Sequence, residues 1–381
     1  MATMKILIDI RLLSRGGQSG VEEYTIQVIK HLFQAGENHQ FKLFYNGWRK
    51  VNLRISDILR ISDIPNIVEI INWKIPNKIF DLATNLLKSD IDRFIETDLV
   101  YSPHINILKT KKAPRILTVH DLSFLHHPHF FSFKHRLWHK IQNIKRQAEK
   151  AAAIVVDSEY TKNDLTETLK VPEEKIKVIY PGIDINLRTS DVPRTSDVQR
   201  LRPYILYLGT LEPRKNIELI INAFEKLKTI PKFKDLKLVL AGRWGWLYKK
   251  IAQKIYSSAC QNDIVVWGPV RNEDKVILYN LARAFIYPSF FEGFGFPPLE
   301  AQANGCPVVA SLRTSLPEIL GKSALLINPW KPEELASAIE LILTNDQVRN
   351  RLVGAGWQNV QRFNWNKTAC ELLKLFSRCS S

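Results

Sequence analysis

The sequence has no uninterrupted run of eighteen apolar residues, the length a helix needs to cross a bilayer. Its apolar start, Lys5-Ile6-Leu7-Ile8-Asp9, is too short for a secretory signal, so a cytoplasmic chain without a membrane span is expected. The four cysteines, Cys260, Cys306, Cys370 and Cys379, form no Cys-x-x-Cys and are too sparse for a disulfide scaffold. No Gly-x-Gly-x-x-Gly follows the first strand-like segment, which argues against a dinucleotide-dependent dehydrogenase. Repeats of solenoid period are missing too. Two short doublets, Arg54-Ile55-Ser56-Asp57-Ile58 with Arg60-Ile61-Ser62-Asp63-Ile64 and Arg188-Thr189-Ser190-Asp191-Val192 with Arg194-Thr195-Ser196-Asp197-Val198, read as insertions in surface segments, the second within an interdomain linker. Acidic residues are few beside basic ones, 38 against 54, leaving a formal charge of +16.

What is present describes a soluble globular chain of 381 residues, enough for two domains, with 45% hydrophobic and 24% charged residues. Short apolar segments alternate with amphipathic ones twice over. Strands are expected at Lys5–Asp9, Phe41–Tyr45, Leu99–Tyr101, Arg115–Val119 and Ala153–Asp157, with a helix from near Gly20 to Phe33 and another starting at Ser158. A second set begins at Tyr204–Gly209 and continues through Leu236–Gly242, Ile264–Gly268 and Ala284–Pro288. This rhythm gives two doubly wound domains.

The positive charge is concentrated. Between Tyr101 and Lys150 ten Lys/Arg face only Asp121 and Glu149, and seven of the nine histidines fall between His104 and His139. Such a patch suits nucleic acid, an anionic bilayer or a phosphorylated substrate. No RNA- or DNA-binding motif accompanies it, and its aromatics lack the regularity of single-strand platforms. A nucleic-acid-binding protein is therefore the rival from another class. The segment Phe133–Ala151 is strongly amphipathic, with Leu137, Trp138, Ile141 and Ile144 among Lys, Arg and His; it can lie on a core, the default, or on a membrane. His126-His127-Pro128-His129 invites a metal reading, but it has no helical pair and no acidic or cysteine partner nearby, so no metal is expected.

The stretch that organises the chain is Ser289-Phe290-Phe291-Glu292-Gly293-Phe294-Gly295-Phe296-Pro297-Pro298-Leu299-Glu300. Paired prolines suit a helix's first turn and Gly305 its far end, giving a short helix over Pro297–Asn304 with Glu300 in the first turn, near the positive end of the dipole. Gly293 and Gly295 leave backbone N–H groups open to an oxygen-rich ligand. Glu292 hangs from the preceding strand. Upstream, Arg214-Lys215-Asn216 places two cations between a buried strand and a helix N-terminus, an anion site in outline. His120 stands at the carboxyl end of a strand, where doubly wound sheets bind ligands.

These residues resemble the donor site of the retaining, GT-B-type glycosyltransferases of family 4. The resemblance covers nearly the whole chain and is densest over Tyr204–Pro329, though Thr210 stands where many members have an arginine. It implies an α/β fold of two Rossmann-like domains facing a cleft. Residues 1–187 form the acceptor-side domain, 188–202 a linker, 203–364 the nucleotide-sugar-binding domain, and 365–381 a helix crossing back onto the first. It implies a hexosyltransferase acting without a metal or other cofactor, on a nucleotide-sugar donor and a glycan or lipid-linked glycan acceptor, with mannose weakly favoured. No nucleic-acid partner is expected.

By the same resemblance Glu292 and His120 meet the donor sugar, and Glu300 holds the ribose hydroxyls. Arg214, Lys215 and Gly20 meet the diphosphate, Val270 lies at the base, the backbone of Phe294, Gly295 and Phe296 meets the sugar, and the Leu299 N–H the phosphate. Glu292→Ala is then expected to remove transfer while sparing the fold and nucleotide binding. A GT-B sugar-nucleotide 2-epimerase is the nearest enzymatic rival. The basic patch from Lys109 to Lys150 is expected to hold the protein, peripherally, on an anionic membrane.

Overall fold

The computed structural model describes residues 3–15, 19–46, 68–77, 79–80, 90–184, 198, 200–201 and 203–380. The doublet at 54–64, nearly all of the doublet at 188–198 and most of the expected linker lie outside the described residues. The chain divides into two compact units, one made of Met1–Leu122, Leu137–Gly182 and Asn364–Ser381, the other of Ser123–Arg136 and Ile183–Phe363.

The first unit is built on a parallel sheet of β1 (Lys5–Asp9), β2 (Gln40–Tyr45), β3 (Val68–Asn72), β4 (Leu99–Ser102), β5 (Arg115–Val119), β6 (Ala153–Val156) and β7 (Ile176–Val178), in the order β3-β2-β1-β4-β5-β6-β7. β4, β5 and β6 are buried at every position. Continuous apolar runs of that kind are what a parallel sheet covered on both faces requires. Helix α1 (Gly20–Ala35) begins with a capping box: Ser19 Oγ accepts from Glu22 N at 3.3 Å, and Glu22 Oε2 accepts from Ser19 N at 2.6 Å.

The expected single helix over 133–151 is two helices, α2 (Phe133–Gln142) and α3 (Ile144–Lys150). Asn143 breaks it, with φ of 45° and a side chain that caps α3 through Arg146 N. Asparagine tolerates that left-handed conformation better than most residues. The burial differs as well. α3 buries Ile144, Gln147 and Ala148, whereas in α2 only Gln142 is buried, so the core-packing default fails for α2. The segment 123–136, expected with the first domain, clusters with the second unit: Phe130 stacks on Phe290 with ring centroids 5.5 Å apart, and Trp246 Nε1 donates to the Phe130 carbonyl.

After β6, α4 (Glu159–Leu169) is capped by Ser158. The last helix of the chain belongs to the first unit. Its Trp365 ring stacks on His31 of α1, and Thr368 Oγ1 donates to the Tyr180 carbonyl at 2.7 Å. Gly182 permits that approach, since a Cβ there would lie 2.2 Å from Trp365 N.

The second unit repeats the plan with β8 (Tyr204–Leu208), β9 (Lys237–Ala241), β10 (Ile264–Gly268), β11 (Ala284–Tyr287), β12 (Val308–Ser311) and β13 (Leu325–Ile327), all parallel, in the order β10-β9-β8-β11-β12-β13. Helices α5 (Ile217–Lys228), α6 (Lys249–Tyr256), α7 (Asn272–Leu281), α8 (Phe296–Ala303), α9 (Pro332–Thr344) and α10 (Asp346–Val360) connect or cover these strands, and α11 (Trp365–Ser380) is the returning helix. In each sheet the connection direction reverses beside the first strand, between β1 and β4 and between β8 and β11. At such switch points the loops diverge and leave a crevice outside the carboxyl ends of the strands.

Candidate active site

In the second unit, the turns that leave β8 and β11 meet at this switch point. Asn216 joins them. Its backbone sits at φ of 58°, and its side chain donates to the carbonyls of Pro288 and Pro329 at 3.2 and 2.6 Å. Phe290 N donates to the Arg214 carbonyl, and Arg214 Nη1 donates back to the Phe291 carbonyl at 2.8 Å. The two turns are thus zipped together by main-chain and guanidinium bonds.

That zipper brings three predicted site residues into contact. Glu292 is buried, with Oε1 2.5 Å from Lys215 Nζ and Oε2 3.3 Å from Arg214 Nη1. Lys215 also donates to the Tyr287 hydroxyl at 2.7 Å, while Arg214 reaches Glu212 at 3.2 Å. Burial alone would raise the Glu292 carboxyl, but the Lys215 and Arg214 charges outweigh it and hold the group below the usual carboxylate range. Burial, then repulsion from Arg214, push the Lys215 ammonium down despite Glu292 and Glu212. Two cations therefore face two carboxylates in low-dielectric surroundings. Removing one member of a buried pair is costly, typically ~3–5 kcal/mol, so Glu292→Ala is no silent probe of sugar contact.

The Glu292 backbone is held from the β12 side. Thr314 Oγ1 accepts from Glu292 N at 3.0 Å, and Ser315 Oγ donates to the Glu292 carbonyl at 2.9 Å. Thr314 has φ of 56°, a strained conformation for a β-branched residue. Gly295, at φ of 100°, forms the N-cap of α8, where a Cβ would lie 2.7 Å from Leu316 Cδ2.

The α8 helix starts at Phe296, one residue before the expected position, and so places Glu300 beyond the first turn. The Glu300 charge is met by side chains instead of the helix dipole: Lys275 Nζ lies 3.0 Å from Oε1, and the Tyr279 hydroxyl donates to Oε2 at 2.9 Å. Burial first, then Glu300, keep Tyr279 a neutral donor. Nearby, Phe294 is buried edge-on against Phe296 and Phe363, Leu299 is fully buried, and Val270 is half-buried in the loop after β10.

Gly20 and His120 belong to the first unit. Gly20 is the exposed first residue of α1. His120 Nδ1 lies 2.5 Å from Asp157 Oδ2, and Nε2 lies 3.0 Å from the Pro103 carbonyl. Burial alone would lower its pKa; Asp157 more than compensates and raises it above the ordinary histidine value. The ring also packs edge-on against Tyr24, with centroids 4.7 Å apart, and the His120 carbonyl accepts from Thr161 Oγ1 at 3.4 Å.

Sequence reasoning missed a buried pair at the end of β1. Asp9 and Arg11 are fully buried, joined at 2.9 and 2.7 Å, and the Arg11 guanidinium lies 4.8 Å from the Phe80 ring centroid. An acid and an arginine two apart beyond an apolar strand gave little warning. Lys275 and Tyr279 were also missed, although their i, i+4 spacing places them on one helix face.

The family model for glycosyl transferases group 1 matches residues 193–358, and that for Glycosyltransferase Family 4 matches residues 18–187. The chain belongs to the family 4 glycosyltransferases of GT-B fold. It is 26% identical to the O-antigen chain mannosyltransferase B of Escherichia coli over 94% of this chain and 96% of that protein. To the O-antigen chain mannosyltransferase RfbU of Salmonella typhimurium it is 28% identical over 59% of this chain and 60% of that one. Among solved structures, Anabaena Alr3699/HepE in complex with UDP and glucose shares the fold, with a TM-score of 0.73, 22% identity, and coverage of 98% of this chain and 100% of that one. The chain is a glycosyltransferase of the hexosyltransferase kind.

Proposed function

We propose that this hexosyltransferase moves mannose, with retention of anomeric configuration and without a metal or other cofactor, onto a glycan or lipid-linked glycan of a cell-surface polysaccharide. Mannose is supported by the likeness to O-antigen chain mannosyltransferases. The observation that carries the reading is the convergence of Arg214 and Lys215 on Glu292 at the switch point of the second sheet. As the anomeric bond breaks, charge gathers on the departing diphosphate. The two cations stabilise it, each preorganised donor being worth ~3 kcal/mol in the barrier. The departing phosphate takes the acceptor's proton on the same face. Glu292 and His120 position the sugar, and Glu300, steadied by Lys275 and Tyr279, accepts from the ribose hydroxyls. Gly20 and the Leu299 N–H lie against phosphate, the backbone of Phe294, Gly295 and Phe296 against the sugar, and Val270 against the base. The enzyme works in the cytoplasm, peripherally on the inner face of an anionic membrane.

A thermal-shift panel of nucleoside diphosphates tests the donor, with GDP expected to stabilise most. Turnover of GDP-mannose should wait for an acceptor, persist in EDTA and give an α-linked product by NMR. Nucleotide release without acceptor would favour the epimerase.

A further inference from the structure

Helix α2 carries an apolar stripe that the protein does not bury. Phe133, Leu137 and Ile141 are 71%, 48% and 48% exposed. Spaced four apart, they lie about 40° from one another around the helix axis and form one face. The opposite side is the anchored one: Gln142 is buried, and its Oε1 accepts from Ile107 N at 2.8 Å. Gln147 of α3 holds the same loop through the Ile105 carbonyl.

Cations flank the stripe. At 100° per residue, Lys134 falls on one side of it and Arg136 and Lys140 on the other, all exposed. Lys145 and Arg146, on the exposed face of α3, extend the positive charge past the break at Asn143. α2 itself contains no acidic residue. Isolated exposed apolar side chains are ordinary on a protein surface, but three in register with cations along both borders are not.

We infer that α2 is an interfacial helix that seats Phe133, Leu137 and Ile141 at the headgroup boundary of an anionic bilayer. The inference rests on the proposed membrane-side function and assigns it to one element. Charge complementarity selects the occupant: an anionic surface answers five cations, and the acyl boundary accepts the stripe between them. Lysine and arginine stems reach outward along the apolar face while their charged heads stay at headgroup level. The short helix lies in the plane of the boundary, since among the described residues no helix is long and apolar enough to cross a membrane.

The test uses the full chain and vesicles of phosphatidylcholine with or without phosphatidylglycerol, at low salt. Wild type should sediment with the anionic vesicles. The variant Phe133→Ser/Leu137→Ser/Ile141→Ser should lose at least about tenfold in vesicle affinity, as expected when buried apolar area drives insertion. Lys140→Glu/Lys145→Glu/Arg146→Glu should lose the preference for phosphatidylglycerol. Both variants should keep the wild-type melting temperature and the wild-type turnover of GDP-mannose with a soluble mannose disaccharide. A serine variant that sediments like wild type overturns the inference, as does a wild type indifferent to phosphatidylglycerol. Failure of wild type to turn over any nucleotide-sugar with any acceptor would instead strike the functional reading, leaving the vesicle result to stand by itself.

Discussion

The two sheets share one strand plan and place charged residues at the same topological point, yet they use them differently. In the first unit, Asp9 and Arg11 are sealed from solvent and bound to each other, with Arg11 also donating to the Ile107 carbonyl. In the second, Glu292 bridges Lys215 and Arg214, whose other contacts include Tyr287, Glu212 and the Phe291 carbonyl. The first arrangement satisfies itself. The second sets two cations against Glu292 and Glu212, and in the function proposed above a diphosphate takes the place of the Glu292 charge. On the proposed reading, the same strand plan carries a lock in one place and an exchangeable anion site in the other.

The comparison breaks most sharply if Arg214 and Lys215 are replaced together by alanine. Affinity for a nucleoside diphosphate should fall by roughly 3–6 kcal/mol, from two charge-assisted bonds, while affinity for the nucleoside holds. Equal losses in calorimetry would make the pair structural. Asp9→Ala tests the lock. It strands the Arg11 charge and should lower unfolding free energy by ~3–5 kcal/mol in a denaturant titration. A mild effect would mean that water reaches Arg11.

Glu300→Ala should weaken nucleotide binding by roughly 1–3 kcal/mol, and calorimetry showing unchanged affinity would remove Glu300 from the donor site. A subtler test is Glu292→Gln, which keeps the shape but removes the resident anion. Nucleoside diphosphate should then bind about tenfold tighter, ~1.4 kcal/mol, even as transfer falls. Weaker binding would show that Glu292 serves the phosphates by ordering the cations and does not compete with them. The smallest effect concerns His120. Its folded pKa is raised, so its stabilising contribution is complete below the unfolded value of 6.5 and is lost as pH rises through the folded one. Melting temperature should therefore decline over that interval in wild type and stay flatter in His120→Gln.

Most strands were legible because a parallel sheet covered on both faces demands uninterrupted apolar runs, as at Ala153–Val156 and Tyr204–Leu208. Arg214, Lys215, Glu292 and Glu300 were legible as a motif. What the motif concealed was their mutual pairing, because Arg214 and Glu292 are far apart in sequence and only Asn216 and the zipped turns bring them together. Glu300 was misplaced because a helix start one residue early moves every later position in its turn. The division of α2 from α3 went unseen because the apolar spacing runs on through Ile141 and Ile144, and only the conformation of Asn143 shows the break. The separate partnership of 123–136 was illegible because its aromatic partners, Phe290, Phe291 and Trp246, are distant in sequence.

The placement of α11 also orders events during synthesis. The first unit is discontinuous: its α1 awaits Trp365 and the rest of α11, while the ribosome must first make the long stretch from residue 183 to 363. At ~5–20 residues per second that delay is roughly 10–40 s. Through this interval the nascent first unit lacks the helix that covers Tyr24 and Tyr101, and the second unit has its principal sheet before the first has all its layers. The half that begins to emerge first is thus the last to have all its segments available.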